Sequence, residues 1–263
     1  MNKLSLFLII ATLIGYTHDT QAALRVWASG DGVRVDPVSG NLIENMQTYF
    51  GPAVEGNPKE QNWIWNDATS TISLKAARNE VVACQIIVET DRKISGIDIK
   101  SADLTGPGGH KLVHKGTQSP MKTGWYPDAL IPFDAAVHGA PFNIPGEDFY
   151  SIDNSGEVDQ KLLRQTNQAV WLDLYVPDET PTGIYQGTLQ VMAGDNLARN
   201  LKVNLEVFDF TVPDEFHTSW ELTEFHGVAQ GPEALELKTY QLAQQHRATI
   251  TSPGVMPDTI GGG

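Results

Sequence analysis

The run ELTEFH places Glu221, Glu224 and His226 close together, and these residue types move protons or grip hydroxyl groups. Glycosidic hydrolysis by paired carboxyls needs them about 5 to 9.5 Å apart. Glu221 and Glu224 differ by an odd number of positions, so on a strand they face opposite sides and make a poor pair. Glu224 and His226 remain candidate substrate contacts; the plainer alternative is ordinary polar residues at a strand end. Trp63 and Trp65 in NWIWND share one parity and offer a flat aromatic platform for a sugar ring. The alternative, favoured by the usual fate of large aromatics, is that both pack in the interior or under loops. Trp125 and Tyr126 in WYPDAL carry the same two readings.

Other constellations are weaker. His110 and His114 in HKLVH have i, i+4 spacing, which clasps a metal on a helix, but the neighbouring GPGG and the strand-like texture argue against a helix, and no HExxH glutamate is present. Asp153 to Asp159 offers oxygen ligands around Gly156, yet Arg164 stands where a calcium loop needs its twelfth-position carboxylate. It reads as a solvated acidic loop. Arg78-Asn79-Glu80 reads as a turn, with Asn79 in a turn conformation and Arg78 paired locally. The single cysteine, Cys84, lies in VVACQIIV and reads as a buried small hydrophobe. No catalytic residue, metal ligand set or cofactor is assigned, and no phosphate loop, nucleophile elbow or dinucleotide fingerprint appears.

These residues sit in a chain dominated by period-two alternation. Val170, Leu172, Leu174 and Val176 oppose Trp171, Asp173 and Tyr175, then PDETPTG turns the chain into Tyr185 to Val191, predicting a hairpin with a long loop. Similar runs at Ser70–Leu74, Val81–Val88, Ile97–Ile99 and Leu201–Val207 predict a mainly β chain built as an antiparallel sandwich. Phe208 and Phe210 switch parity, which predicts a bulge near Val207. Gln118 to Asp159, rich in Pro and aromatics, reads as long ordered loops across the sandwich. Beyond Pro213, a strand around Glu221, a helix over PEALELKTYQLAQQHR and a strand in RATITSPG follow the grammar of a parallel sheet.

The net charge of −14 repels nucleic acid phosphates and anionic membrane surfaces, so neither is an expected partner. Lys3, the apolar stretch Leu4 to Tyr16 and the small residues ending at Ala22 read as a secretory signal peptide. The expectation is a secreted or periplasmic protein whose mature chain starts near Ala23, with no membrane contact after cleavage. The lone cysteine excludes an internal disulfide, so an exported chain stands on its core alone.

Five blocks occur together: VWASGDGVRVDPVSG (26–40), SLKAARNEVVACQIIV (73–88), WYPDALIPF (125–133), NQAVWLDLYVPDETPTGIYQGTLQV (167–191) and VFDFTVPD (207–214). In this combination the chain resembles the N-terminal β-sandwich of glycoside hydrolase family 123-like proteins, over roughly residues 24–260. The resemblance implies a sandwich at 23–213 followed, from 214, by the first strand, helix and strand of a (β/α)₈-type barrel. It also implies an exo-acting β-N-acetylgalactosaminidase activity for the complete relatives, with the sugar's own acetamido oxygen as nucleophile, oriented by an aspartate next to a glutamate acid–base. No segment after Asp214 matches that Asp-Glu pair. Such a barrel needs about 250 residues, whereas Asp214 to Gly263 supplies 50. The expectation is therefore a non-catalytic scaffold portion of a glycosidase-like protein, reaching glycan through a barrel missing from this chain. The rivals are a stand-alone carbohydrate-binding module and an adhesion-type sandwich without a sugar site.

Overall fold

A computed structural model of the chain describes residues 24–46, 54–112, 117–118, 142–144, 149–152, 158–162, 165–214, 221–223, 241, 244, 247 and 249–251. Two sheets face each other. The first has four strands in the order β1 (Leu24–Gly30), β4 (Glu80–Thr90), β12 (Asn167–Val176) and β8 (Thr117–Gln118), all antiparallel. The second runs β2 (Trp65–Asn66), β3 (Thr71–Arg78), β14 (Asn196–Thr211), β13 (Gly183–Ala193), β5 (Ile94–Ser101) and β9 (Phe142–Ile144), with β6 (Leu104–Thr105) beside β13 and β7 (Lys111–Leu112) beside β6. β10 (Phe149–Ile152) pairs with β11 (Val158–Leu162). β15 (Glu221–Thr223) pairs in parallel with β16 (Thr249–Thr251). A short helix, α1, spans Ile43–Met46.

The core lies where the alternating faces of the two sheets meet. Val26, Ile86, Leu172 and Leu174 come from one sheet; Ile72, Leu74, Tyr185, Val191, Leu201 and Leu205 come from the other. The four-stranded sheet is covered on its second face as well, so Trp27, Ser29, Gln85, Ile87 and Asp173 are also buried. Gln85 Nε2 donates to the carbonyls of Gly30 (3.0 Å) and Val33 (2.6 Å), which holds the chain after β1 over that face. A carboxamide suits this position because it can satisfy backbone acceptors that have lost water.

Three expectations are corrected here. First, β12 and β13 do not form a hairpin: they lie in opposite sheets, and the PDETPTG segment arches between them. Both strands aim the same apolar phase into the core, which alternation alone reports identically for an arch and for a hairpin. Likewise β3 and β4 flank one residue, Asn79, and belong to different sheets. The true tight hairpin is β13–β14, where Ala193 faces Asn196 across Gly194 (φ +59) and Asp195. Second, the larger sheet is mixed, because β3 runs parallel to β14. Third, the stretch 118–159 is not loop throughout: FNI and FYSI, aromatic and β-branched, form β9 and β10.

Other expectations hold. The register of β14 against β3 shifts between Val207 and Thr211, where a bulge is expected. Phe208 and Phe210 face outward and stack on each other, centroids 5.8 Å apart. Cys84 is fully buried, and burial pushes its thiol well above the ordinary range, helped by Asp173 and Asp31. The signal-peptide region, Trp125 and Tyr126 lie outside the described residues. So does most of the expected helix at 232–247, of which Gln241 and Gln244 are described and helical.

Candidate functional site

Of the four residues singled out as sugar contacts, Glu224 and His226 lie outside the described residues. Trp63 and Trp65 are both described, and the chain separates them. Trp65 opens β2 and is 1% exposed, inside the core. Its Nε1 donates to the Lys59 carbonyl (3.1 Å), and the Arg199 guanidinium lies 5.1 Å from its ring centroid. A platform needs a free ring face, and Trp65 has none, so the shared platform is withdrawn. Trp63 is 53% exposed. Its indole rests on Gly30, where a Cβ would fall 2.4 Å from Nε1. The bare backbone of Gly30 is thus the seat of the indole, leaving half of the side chain open to solvent.

A tight set of polar contacts shapes this corner. Asn62 Nδ2 donates to Ala28 O (2.8 Å) and Pro58 O (3.0 Å), while its Oδ1 accepts the N–H groups of Ile64 and Trp65. Trp63 and Trp65 lie close to one carboxamide that dictates the backbone path, which is why equal parity did not give equal exposure. Arg199 reaches from β14 to the carbonyl of Val26 on β1 (2.6 Å), to Asp67 Oδ1 (2.8 Å) and O (3.0 Å), and to Ser70 Oγ (2.8 Å). It therefore staples one sheet to the other. Lys59 pairs with Glu89 at 2.6 Å, both largely covered, with its ammonium 5.9 Å from the Trp27 ring.

Beside this corner is an open cleft of about 780 Å³, lined by residues that include Glu55, Asn57, Glu60, Gln61, Asn66 and Asp67. Much of its polar capacity is already used. Asn57 Nδ2 donates to Glu60 Oε1 (2.8 Å), Asp67 is taken by Arg199, and Asn66 Oδ1 accepts the Thr69 N–H. Glu55 and Glu60 are exposed. The cleft can accept hydrogen bonds from hydroxyls.

The remaining motifs, where described, serve the fold. His110 follows a 3₁₀ turn, with Nδ1 3.3 Å from the Tyr185 hydroxyl, which itself donates to Pro181 O at 2.8 Å. His114 and the Asp153–Glu157 loop lie outside the described residues. Among the described residues, no group of three or more His, Cys, Asp or Glu is placed to hold a metal ion. Also among them, no helix is long and apolar enough to cross a membrane. Asn79 adopts the expected turn conformation, φ +57. Arg78 does not pair locally: its guanidinium reaches Asp209 on β14 at 3.4 Å, while Glu80 Oε2 accepts the Ala77 N–H (2.6 Å). The sequence reading passed over Arg199. Its signal was present: a cation in phase with Leu201, Val203 and Leu205 sits at a core position and needs partners.

The glycoside hydrolase 123 N-terminal domain model matches residues 57–193, just over half of the 263-residue chain. The chain belongs to this family. The glycoside hydrolase 123 N-terminal domain here comprises the strands from β2 to β13, with β14 completing the larger sheet. Comparison with curated protein sequences gives no match. Among solved structures, a family 123 glycoside hydrolase from Clostridium perfringens, described for glycolipid glycan hydrolysis, aligns at 13% identity with a TM-score of 0.42, covering 78% of this chain and 31% of that enzyme. The chain thus spans less than a third of that enzyme's length. A PapD-like domain of human CEP192 aligns at 9% identity and a TM-score of 0.26, covering 53% of this chain and 82% of that domain.

Proposed function

We propose that this chain is the non-catalytic scaffold portion of a secreted glycoside hydrolase-like protein acting on N-acetylgalactosamine-type glycans. The observation that supports this reading is the composition of the described sandwich: its polar side chains are spent on holding strands, arches and loops. Arg199, Asn62, Gln85 and Asn79 each satisfy backbone acceptors, and the cleft carboxylates are solvated or already paired. The parallel β15–β16 pair beyond the sandwich fits the opening of a (β/α)₈-type domain. On this reading the aspartate and glutamate that handle the acetamido sugar belong to that domain, and the sandwich supports it by packing. Glu224 and His226, at the C-terminal side of β15, are then sugar-facing positions, since barrel sites gather at that end.

One observation favours a second reading, a carbohydrate-binding module: the exposed indole of Trp63 on its Gly30 seat. Aromatic faces stack on the C–H surfaces of sugars. A glycan array probed with residues 23–263 decides between the two. Silence supports the scaffold; binding that is lost in Trp63→Ala supports the module and rejects the scaffold as the whole function.

A further inference from the structure

We propose that the β3–β4 turn and Arg247 form a latch that fixes the orientation of the β15–β16 unit on the sandwich. Asn79 is the single residue between β3 and β4. Its left-handed backbone, φ +57, is tolerated by Asn better than by most side chains. The turn gathers ends from both sheets. Asn79 N donates to Val176 O at 2.7 Å, at the end of β12, and the Tyr175 hydroxyl donates to Asn79 Oδ1 at 3.0 Å. Asn79 Nδ2 donates to Val212 O (2.9 Å) and Asp214 Oδ1 (2.7 Å), where the chain leaves β14.

Onto this node comes a cation from far along the chain. Arg247 stands two residues before β16. Its Nη2 donates to Asn79 O (2.7 Å) and Val212 O (3.3 Å), and its Nη1 donates to Pro213 O. Three main-chain carbonyls where the sheets end therefore converge on one guanidinium. The planar fork of Arg reaches several acceptors at fixed angles, which the point charge of Lys does not reproduce. Arg247 is itself held at φ +59. A non-glycine residue keeps such a conformation only where its surroundings over-determine it. Acidic Asp178, Glu179 and Asp214 act on the same node. The acceptors belong to the sandwich and its exit, the donor to the β15–β16 unit, and Val212 O is shared by Asn79 and Arg247. Breaking either side loosens both. The latch does not depend on the glycosidase reading, because it concerns orientation rather than chemistry.

The test is a spin-label distance measurement on the whole chain. Labels go on Gln190→Cys in β13 and Gln241→Cys, both exposed, in a Cys84→Ala background. With the latch intact, a single narrow distance distribution is expected. Arg247→Ala should broaden it at least twofold, and Arg247→Lys should broaden it less. Asn79→Gly, which keeps the left-handed turn and deletes the carboxamide, should broaden it while leaving the sandwich melt cooperative. Distributions for Arg247→Ala and Asn79→Gly that match the parent would overturn the latch. The readout is blind to glycan, so it fails or succeeds independently of the proposed function.

Discussion

Replacing Arg199 by Ala removes the staple between the sheets, and its cost can be worked from the contacts. β1 is terminal in its sheet, and the Val26 carbonyl there takes its 2.6 Å hydrogen bond from Arg199. Val26 is 2% exposed, so water does not easily replace the lost donor. An orphaned buried acceptor costs about 1–3 kcal/mol. The pair with Asp67 adds less: the two side chains are 23% and 34% exposed, and a pair so placed is partly screened, about 0–1 kcal/mol. Loss of the cation over the Trp65 ring adds about 0.5–1 kcal/mol. The sum is about 3 kcal/mol. For a domain of this size, 1 kcal/mol moves Tm by about 2–4 °C, so the expected fall is about 6–12 °C. Differential scanning calorimetry of Arg199→Ala, Arg199→Lys and the Asp67→Ala double mutant reads it. Lys should recover only part of the loss, because it keeps the charge and loses the fork. A fall below about 2 °C, or full rescue by Lys, refutes the stapling argument.

Further outcomes follow from the same packing. Gly106→Ala drives a Cβ to 2.4 Å from Cε1 of the fully buried Tyr185, and should cost about 1–3 kcal/mol by denaturant titration. Tyr185→Phe removes the hydroxyl and with it the bond to Pro181 O and the contact with His110 Nδ1, and should cost about 1 kcal/mol in the same assay. Cys84 should resist a disulfide-exchange reagent in the native protein and react once unfolded, since burial disfavours its thiolate; rapid native labelling contradicts this. Burial alone would push Glu44 up, but the Arg34 N–H (2.7 Å) and guanidinium (3.0 Å) more than reverse this and hold its carboxyl below the ordinary range. A depressed folded value gives stability that is present above the unfolded-state pKa and lost as pH falls through the folded one. Glu44→Gln should therefore be less stable than the parent at neutral pH and equal to it in strong acid, by urea titration at each pH.

Much of the fold was legible because period-two alternation reports a half-buried strand directly. Val170 to Val176, Tyr185 to Val191 and Leu201 to Val207 all became strands with the expected phase buried. What alternation does not carry is the identity of the neighbour. The β12–β13 arch looked like a hairpin, and the parallel β3–β14 pairing was invisible, because both depend on partners chosen across the sandwich. The site was less legible. Trp63 and Trp65 have the same residue type and parity, yet Asn62 and Arg199 decide that one is seated on the surface and the other buried. The Arg199–Asp67 contact spans 132 positions, and the Arg247–Asn79 contact spans 168. Local patterns cannot announce either. Asn79 was the exception: a lone Asn between two strands announces its own backbone conformation.

The central proposal is that the described sandwich supplies support and no chemistry. The most direct measurement is release of a chromogenic leaving group from a β-N-acetylgalactosaminide by the purified chain, 23–263, without any partner. The account predicts a rate equal to the buffer blank, unchanged in Trp63→Ala and Glu60→Gln. Turnover above the blank that disappears in either variant would contradict it.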